Sequence, residues 1–346
     1  MSKHVGILVG GPGPEAEVSL CSGKFAYENF PTDFASPFFI HIDEDLCFSL
    51  HGDPEFMEGS GNLYSAKKGI QAHPMSEFCS ELRKFGIERE NLAGIFPLVH
   101  GVLGEDGSIL SFLEILNFPY AGCSARTSML CFDKVLTKLA LLTSGIEVVP
   151  FIWGTTPEAI LQHPFGDNPV YVKPARQGSS IGVHRVENHC EYEGAVQDAF
   201  HFDTKVLIEP EIPGRELEVA VLQKGEEWII SRAGEVKSGS SGYYSFEAKY
   251  SLESDALASV ANLQPSIQNS LREQVLNIIK TLELRGFARL DFFLDANDKI
   301  WLNEINTLPG FTGISMFPLL LEEDGLSAQE MIRVILEGME TNGTWG

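Results

Sequence analysis

Short apolar segments alternate with helix-like segments along the first third of the sequence. Apolar runs predict strands at residues 5–9, 38–42 and 92–99. Gly10-Gly11 ends the first strand before a helix over residues 15–30, and another helix is predicted at 108–116. Strands that are joined by helices pair in parallel, because each helical crossover returns the chain to the end of the sheet at which the previous strand began. The pattern therefore predicts an N-terminal α/β layer with a parallel sheet.

The remainder of the chain is richer in hairpin-like segments. Further strands are predicted at 170–173, 182–186, 205–209, 215–224, 227–233, 287–295 and 299–305. Further helices are predicted at 133–144, 188–201, 266–284 and 327–339. The last two strands flank Ala296-Asn297-Asp298, a turn sequence that predicts a hairpin. Residues 44–90 are polar, so we expect an insertion or surface elaboration there, whereas the glycines and serines of residues 237–250 predict a loop.

The chain has a formal net charge of -23, with 48 acidic and 25 basic residues. Such a surface repels phosphate backbones and anionic lipid, so we expect neither nucleic acid nor a membrane as a partner. An anionic substrate would need cations that are concentrated locally. Each lysine or arginine within a motif is therefore more informative than usual.

The six cysteines are scattered and form no C-x-x-C pair, which argues against a zinc site. We expect them to be small buried hydrophobic residues. The first residues lack the charged, apolar and small-residue order of a signal peptide, and no apolar run reaches the roughly 18 residues that a membrane span needs. We therefore expect a cytoplasmic protein with reduced thiols.

Lys173 ends a predicted strand, and a loop with Gly178, Ser179, Ser180 and Gly182 follows it. Small residues let the backbone close over phosphate groups, whose charge the lysine can offset. The spacing is not that of a Walker loop. A flexible hairpin connection is the alternative, but a lysine at the strand end favours a phosphate-binding loop.

A second glycine-rich turn, Gly10-Gly11-Pro12-Gly13-Pro14, lies between the first strand and the first helix. Free backbone N–H groups at a helix start can bind an anion. The spacing is not G-x-G-x-x-G, and no acidic residue ends the second strand about 20 residues on, so a tight turn is favoured over a dinucleotide site. Glu15 at the helix start suits either a contact with the helix dipole or the recognition of a substrate ammonium group.

Polar residues recur on the two strands of the last predicted hairpin. Asp291 lies on one strand, while Glu304 and Asn306 lie two apart on the next and so face one side. Three oxygen ligands without His or Cys suit Mg²⁺, which retains waters and binds substrate phosphates. A polar strand face is the alternative, although Asp, Glu and Asn are poor strand formers. The turn at 307–310 could aim backbone N–H groups at a reacting carbonyl.

Glu247-Ala248-Lys249-Tyr250 ends the loop at 237–250. A loop with Lys and Tyr at its base is typical of an active-site lid. This segment alone favours an ordinary surface loop equally.

Together these segments resemble the D-alanine–D-alanine ligases, in order along most of the chain. The matching segments are GGPGPEAEVSL (10–20), VHGVLGEDG (99–107), FPYAGCS (118–124), DK (133–134), VKPARQGSSIGV (172–183), VLIEPEIPGRELEVAVL (206–222), YYSFEAKY (243–250), ARLDFFL (288–294) and LNEINTLPGFTGIS (302–315). Residues 44–90 are not covered. Pro210 stands where many family members have lysine, and Ser245 and Phe246 replace the more usual Asp and Tyr of the lid.

The resemblance implies a three-domain ATP-grasp fold of the α/β class, in which ATP lies between two antiparallel sheets. The N-terminal Rossmann-like domain with the parallel sheet would span 1–122, the central domain 123–208 and the C-terminal domain 209–346. The length fits, since roughly 100–200 residues per domain predicts two or three domains. The implied activity is the ATP-dependent joining of two D-alanines through an acyl phosphate, for peptidoglycan and cell-wall synthesis. A cytoplasmic homodimer is expected.

The resemblance also assigns the nucleotide and metal contacts. Lys134 and Lys173 would contact the phosphates, while Glu209, the backbone near Ile212, and Glu216 would contact the adenine and ribose. Two Mg²⁺ ions, for which Mn²⁺ can substitute, would be bound by Asp291, Glu304 and Asn306.

The substrate contacts follow from the same family pattern. Glu15 would bind the ammonium of the first D-alanine with His100 close by, and Ser315 with the Met316 N–H would bind the carboxylate of the second. Arg289 and the Gly310 N–H would stabilise the oxyanion, and Lys249 would neutralise phosphate charge. A hydrogen-bonded set would join the lid to the site through Glu15, Ser179 and Tyr250.

Three alternative functions remain open at this point. A D-alanine–D-lactate or D-alanine–D-serine ligase shares most of these motifs, although the Glu247–Tyr250 lid favours D-alanine as the acceptor. A nucleotide-binding regulator without turnover would bind ATP but release no ADP. A Rossmann NAD oxidoreductase would bind NADH.

Overall fold

The computed structural model describes residues 3–59, 64–163, 165–236 and 258–342. Within these ranges the chain has a mixed α/β fold with three larger sheets, of which one contains parallel strands and two are antiparallel. The loop predicted at 237–250 lies outside the described residues. No helix in the described part is long and apolar enough to cross a membrane.

The N-terminal part forms a five-stranded sheet with the order β6-β3-β2-β1-β7. Its strands are β1 (His4–Gly10), β2 (Ser36–Ile42), β3 (Cys47–His51), β6 (His73–Pro74) and β7 (Leu92–Pro97), and a small separate pair is formed by β4 (Met57–Glu58) and β5 (Ser65–Ala66). The helices are α1 (Ala16–Glu28), α2 (Phe78–Lys84) and α3 (Ser108–Ile115). Strand β1 pairs in parallel with β2 and β7, which confirms the predicted parallel layer.

The prediction that residues 44–90 form a surface elaboration is wrong. Strands β3 and β6 extend the main sheet in the antiparallel direction. Phe48, Phe78, Leu82 and Ile87 are buried and share one core with strands β1 and β2. Only Phe78 and Leu82, four residues apart on α2, have helical spacing, and this short pattern gave little sign of the segment's part in the core.

The central part forms a four-stranded antiparallel sheet with the order β10-β9-β11-β8. Its elements are α4 (Ala125–Phe132), α5 (Lys134–Leu142), β8 (Ile152–Gly154), β9 (Val170–Pro174), β10 (His184–Val186), α6 (His189–Phe202) and β11 (Val206–Pro210). The three strands and two helices predicted here are confirmed, whereas α4 and β8 were not predicted. Helix α6 packs on the sheet and forms a small core of its own with it.

The C-terminal part forms a six-stranded antiparallel sheet, in which the path β15-β14-β12-β16-β17 is joined by β13 at β12. Its elements are β12 (Gly214–Lys224), β13 (Glu227–Ile230), β14 (Gly234–Val236), β15 (Ala258–Val260), α7 (Pro265–Thr281), β16 (Phe287–Asp295), β17 (Ile300–Asn306), α8 (Met316–Glu323) and α9 (Ala328–Asn342). The predicted hairpin is confirmed as β16 and β17.

One continuous core joins the N-terminal sheet to the C-terminal helices. Phe96 lies in β7, the strand next to β1, and its ring contacts the rings of Phe287 and Phe311. Phe311 also contacts Phe25 of α1. Helix α9 packs on both β12 and β7. The turn that follows β17 is therefore anchored in the N-terminal sheet and not only in its own.

The cysteines agree only in part with the expectation of burial. Cys21, Cys123 and Cys131 are buried, but Cys190 is exposed. Cys190 lies near the start of α6, whose buried face is formed by residues at helical spacing, namely Tyr192, Ala195, Val196 and Ala199. A cysteine off that stripe faces water.

Phe48 tests the structural role of residues 44–90. Its side chain is fully buried and its ring centroid lies 5.0 Å from that of Phe78. We expect Phe48→Ala to lower the free energy of unfolding by about 3–5 kcal/mol, because the cavity in the core cannot fully collapse. The control is Phe85→Ala, since Phe85 is 41% exposed and should contribute much less. Equal losses in urea denaturation would contradict this account.

Candidate active site

A cavity of about 400 Å³ lies between the two antiparallel sheets. Strands β9 and β11 form one wall, and β12, β14, β16 and β17 form the other. The sequence-predicted residues that line it are Lys134, Lys173, Ser179, Glu209, Ile212, Glu216 and Glu304. Tyr171 and Phe293 add aromatic surface beside these charges. A cleft with apolar walls and a few convergent cations suits a planar ring that carries an anionic chain.

Glu209 is a buried carboxylate between two lysines. Its Oε2 is 2.6 Å from Lys173 Nζ, and its Oε1 is 2.8 Å from Lys138 Nζ. Burial alone would raise the pKa of Glu209, but the two lysines lower it below its ordinary value. Burial would likewise lower the pKa of Lys173, yet Glu209 and Glu304 raise it. Lys173 is therefore a stable cation on the cavity wall.

Lys134 connects the loop that follows β9 to the β16–β17 hairpin. It is the first residue of α5. The Asp133 side chain caps this helix by accepting hydrogen bonds from the N–H groups of Val135 and Leu136. Its Nζ donates to the Gln177 carbonyl at 2.6 Å and lies 3.3 Å from Glu304 Oε2. The cap thus fixes the base of a side chain that reaches both sides of the cleft.

The β16–β17 hairpin brings the predicted metal ligands together. Asp291 lies opposite Glu304, and Arg289 lies opposite Asn306. Asn306 Nδ2 donates to Asp291 Oδ2 at 3.0 Å, which leaves the amide oxygen of Asn306 as an acceptor. Oxygen atoms of a carboxylate pair and an amide, without His or Cys, are a donor set that fits Mg²⁺.

Arg289 is buried among carboxylates. Its Nε and Nη2 donate to Asp291 at 2.8 and 2.7 Å, and its Nε is 3.0 Å from Glu218 Oε2. Burial alone would lower the pKa of Arg289, but Asp291 and Glu218 raise it well above its ordinary value. The guanidinium is therefore a fixed positive charge beside the predicted metal ligands.

Glu15 and Ser179 are brought together from distant parts of the chain. The Ser179 hydroxyl donates to Glu15 Oε1. Gly101 makes room for this carboxylate, because a Cβ at Gly101 would lie 2.1 Å from Glu15 Oε2. Ser179 and Ser180 have φ angles of 49° and 61°, which non-glycine residues adopt at an energetic cost and mostly at functional sites.

His100 lies between α1 and the turn that carries Gly310. Its Nδ1 is 2.9 Å from the Leu308 carbonyl, and its Nε2 is 3.0 Å from Ser22 Oγ. Burial lowers the pKa of the imidazole. Both ring nitrogens thus contact the protein itself. The predicted role of His100 in substrate binding stays a prediction.

Ser315 and Met316 begin helix α8. Ser315 Oγ accepts from the Thr312 N–H at 3.1 Å, and Met316 is the first helical residue. The first N–H groups of a helix have no intrahelical partner, which suits a bound carboxylate. Lys249 and Tyr250 lie outside the described residues.

Two family models match almost the whole chain. D-ala D-ala ligase N-terminus covers residues 4–123, and D-ala D-ala ligase C-terminus covers 144–337. A curated D-alanine–D-alanine ligase from Oceanobacillus iheyensis is 38% identical, over 97% of this chain and 95% of its own length. The chain belongs to the D-alanine–D-alanine ligase family.

Solved structures of family members have the same fold. The D-alanine–D-alanine ligase from Coxiella burnetii has a TM-score of 0.79 at 27% identity and covers 99% of this chain and 96% of its own. The VanG D-Ala:D-Ser ligase from Enterococcus faecalis has a TM-score of 0.74 at 26% identity, with coverage of 98% and 100%. Family membership confirms that the chain is an ATP-dependent ligase.

Four residues of the site were not predicted from the sequence: Lys138, Glu218, Ser22 and Glu105. Lys138 lies one helical turn beyond Lys134, and Glu218 lies two residues after Glu216 and so on the same face of β12, so both spacings carried a signal. Glu105 is partly buried after His100. Burial and the carboxylates of Glu15 and Glu304 raise its pKa to about 8. Ser22 had no signal, because a small residue inside a helix is unremarkable.

Lys138 gives a direct test of the buried ion pairs of Glu209. Its side chain is 1% exposed. We expect Lys138→Met to lower the free energy of unfolding by about 3 kcal/mol, the lower end for breaking a buried pair, because Glu209 keeps Lys173. The control, Lys84→Met, removes a lysine that is 71% exposed and should leave the thermal midpoint unchanged. A Lys138→Met variant as stable as the parent would show that the pair is not needed.

Proposed function

We propose that this enzyme joins two D-alanine molecules to D-alanyl-D-alanine, with ATP as the energy source, for the synthesis of peptidoglycan precursors. The observation that carries the proposal is a set of cations paired with carboxylates in and beside the cleft: Lys134 with Glu304, Lys173 with Glu209, and Arg289 with Asp291. Relatives that bear this activity in their names match the chain over nearly its full length.

We propose the three-domain ATP-grasp arrangement for this chain, with domains at 1–122, 123–208 and 209–346. Each of the three larger sheets falls within one of these ranges, except for the last two residues of β11. The cavity between the two antiparallel sheets is then the ATP site. Lys134 and Lys173 contact the phosphates, the segment of Glu209 to Ile212 meets the adenine, and Glu216 meets the ribose.

The first step transfers a phosphoryl group to the carboxylate of the first D-alanine. Both reactants are anions, so the barrier falls when fixed cations surround the transferring group. Lys134 at the start of α5 and Lys173 on β9 supply those charges. Asp291, Glu304 and Asn306 would hold two Mg²⁺ ions, and bound Mg²⁺ neutralises phosphate charge.

The second step forms the peptide bond. The amine of the second D-alanine attacks the acyl phosphate, and phosphate leaves with one oxygen of the original carboxylate. Arg289 and the Gly310 N–H stabilise the negative charge that develops on the carbonyl oxygen when the amine attacks the carbon. Lys249 in the predicted lid adds charge, and the lid keeps water from the intermediate.

The two D-alanine molecules bind to different parts of the site. Glu15 binds the ammonium of the first D-alanine, supported by Ser179 and by the predicted contact with Tyr250. Ser315 and the Met316 N–H hold the carboxylate of the second at the start of α8. His100 is close to the first substrate. A cytoplasmic homodimer, as expected from the resemblance, completes the proposal.

Proteins of this fold differ in the acceptor, since VanG is named as a D-Ala:D-Ser ligase. The retained Glu247–Tyr250 segment favours D-alanine in this chain.

The enantiomer of alanine tests the proposed reaction. With ATP and Mg²⁺, D-alanine should drive ADP release and L-alanine should not, because the ammonium, carboxylate and methyl groups must each meet a fixed contact. Coupled ADP detection and mass analysis of the product provide the measurement. Equal ADP release with both enantiomers contradicts the proposal, and no release with either indicates a nucleotide-binding regulator.

Glu304 tests the proposed metal site. We expect Glu304→Gln to lower kcat by about 10²–10³, the usual loss for one electrostatic stabiliser of the transition state. The matched control is Glu147→Gln, because Glu147 pairs with Lys299 on the protein surface and is 53% exposed. Near-normal turnover of Glu304→Gln at saturating Mg²⁺ would exclude a metal role.

A further inference from the structure

Three buried groups enclose the turn that carries Gly310. Ser22 of α1 is fully buried, His100 follows β7, and Phe311 is fully buried at the end of the turn. His100 Nδ1 lies 2.9 Å from the Leu308 carbonyl and His100 Nε2 lies 3.0 Å from Ser22 Oγ. The Phe311 N–H donates to Ser22 Oγ at 3.3 Å.

The chemistry of these groups fixes the direction of every bond. A carbonyl oxygen only accepts, so Nδ1 of His100 carries the proton. In the neutral imidazole, Nε2 then accepts, and its donor must be the Ser22 hydroxyl. The lone pairs of Ser22 Oγ remain available for the Phe311 N–H. The network closes with one tautomer, in which Ser22 Oγ donates to His100 and accepts from Phe311.

These bonds bracket Gly310. The Leu308 carbonyl lies two residues before it, and the Phe311 N–H lies directly after it. The peptide between them is therefore held at both ends by groups from the N-terminal part of the chain. A peptide plane fixed on both sides directs its N–H group without reorganisation during reaction.

The same helix connects this network to the proposed ammonium site. Ser22 lies seven residues after Glu15, two turns along α1 and roughly 10 Å at 1.5 Å per residue. Residues at this spacing share one helix face. Helix α1 thus sets the distance between the carboxylate that would bind the first substrate and the N–H that would meet its carbonyl.

We propose that Ser22 and His100 are positioning residues that aim the Gly310 N–H at the developing oxyanion. This inference rests on the proposed function, in which Gly310 serves the oxyanion. His100 acts in it through Leu308 and Ser22, by hydrogen bonds within the protein.

The test compares Ser22→Ala with a matched control. Ser128 is also fully buried in a helix, and its hydroxyl has no hydrogen-bond partner among the residues that the structure describes. Ser22→Ala should lower kcat about tenfold, the effect of one lost hydrogen bond, with the KM for ATP within about twofold of the parent. Ser128→Ala should leave both parameters unchanged.

Hydrogen exchange gives a second readout that needs no activity. In Ser22→Ala the backbone amide of Phe311 should exchange faster by about tenfold, because its acceptor is removed, whereas Ser128→Ala should not change it. If the parent released no ADP with D-alanine, the proposed function would fail, and this exchange result alone would decide whether the turn is held as described.

His100→Asn covers the case in which Ser22→Ala does not fold. The asparagine amide can replace the donor at Nδ1 and keep the Leu308 bond, but its carbonyl oxygen does not extend to the position of Nε2, so the Ser22 hydroxyl loses its acceptor. We expect the same split, a lower kcat with an unchanged KM for ATP, and a double variant no slower than the slower single variant. Unchanged kcat, unchanged exchange at Phe311, or a defect confined to KM would overturn the inference.

Discussion

The buried ion pairs of the cleft are the constraint on which the rest of the site depends. Glu209 is bound by Lys138 and Lys173, and Asp291 is bound by Arg289, in surroundings that water hardly reaches. Each carboxylate would be costly to bury alone, and so would each cation. Together they keep lysine and arginine charges in place before any substrate arrives. A chain with a net charge of -23 can in this way still present lysine side chains to an anion within the cleft.

The packing explains how this charged cleft is held in place relative to the turn after β17 and to Glu15. The turn after β17 is anchored by Phe311 in the core that the N-terminal sheet shares with the C-terminal helices. The central sheet has a separate, smaller core. Ser179, in the loop that follows β9 of this sheet, reaches Glu15 at the start of α1. A side-chain hydrogen bond, and not a shared core, therefore joins the loop after β9 to Glu15.

The sequence predicted those parts of the fold whose pattern is local. The strands around Lys173 and the hairpin of Asp291 and Glu304 were recognisable because apolar runs end at turn residues. Residues 44–90 were not, since Phe48 of β3 and Phe78 of α2 are far apart in the sequence and meet only in the folded chain. Lys138 and Glu218 were missed for a related reason. A charged residue in an amphipathic element is expected to face water. Only the tertiary structure shows that Lys138 is paired with Glu209 and Glu218 with Arg289.

In the proposed reaction the enzyme activates the carboxylate of the first D-alanine by phosphorylating it. This step can be followed with D-alanine whose carboxylate oxygens are labelled with ¹⁸O, incubated with the enzyme, ATP and Mg²⁺. Attack of the carboxylate on the terminal phosphoryl group, followed by displacement by the amine, carries one labelled oxygen into the released phosphate. The account predicts labelled inorganic phosphate in step with D-alanyl-D-alanine, measured by mass spectrometry. Unlabelled phosphate accompanying the dipeptide would contradict it.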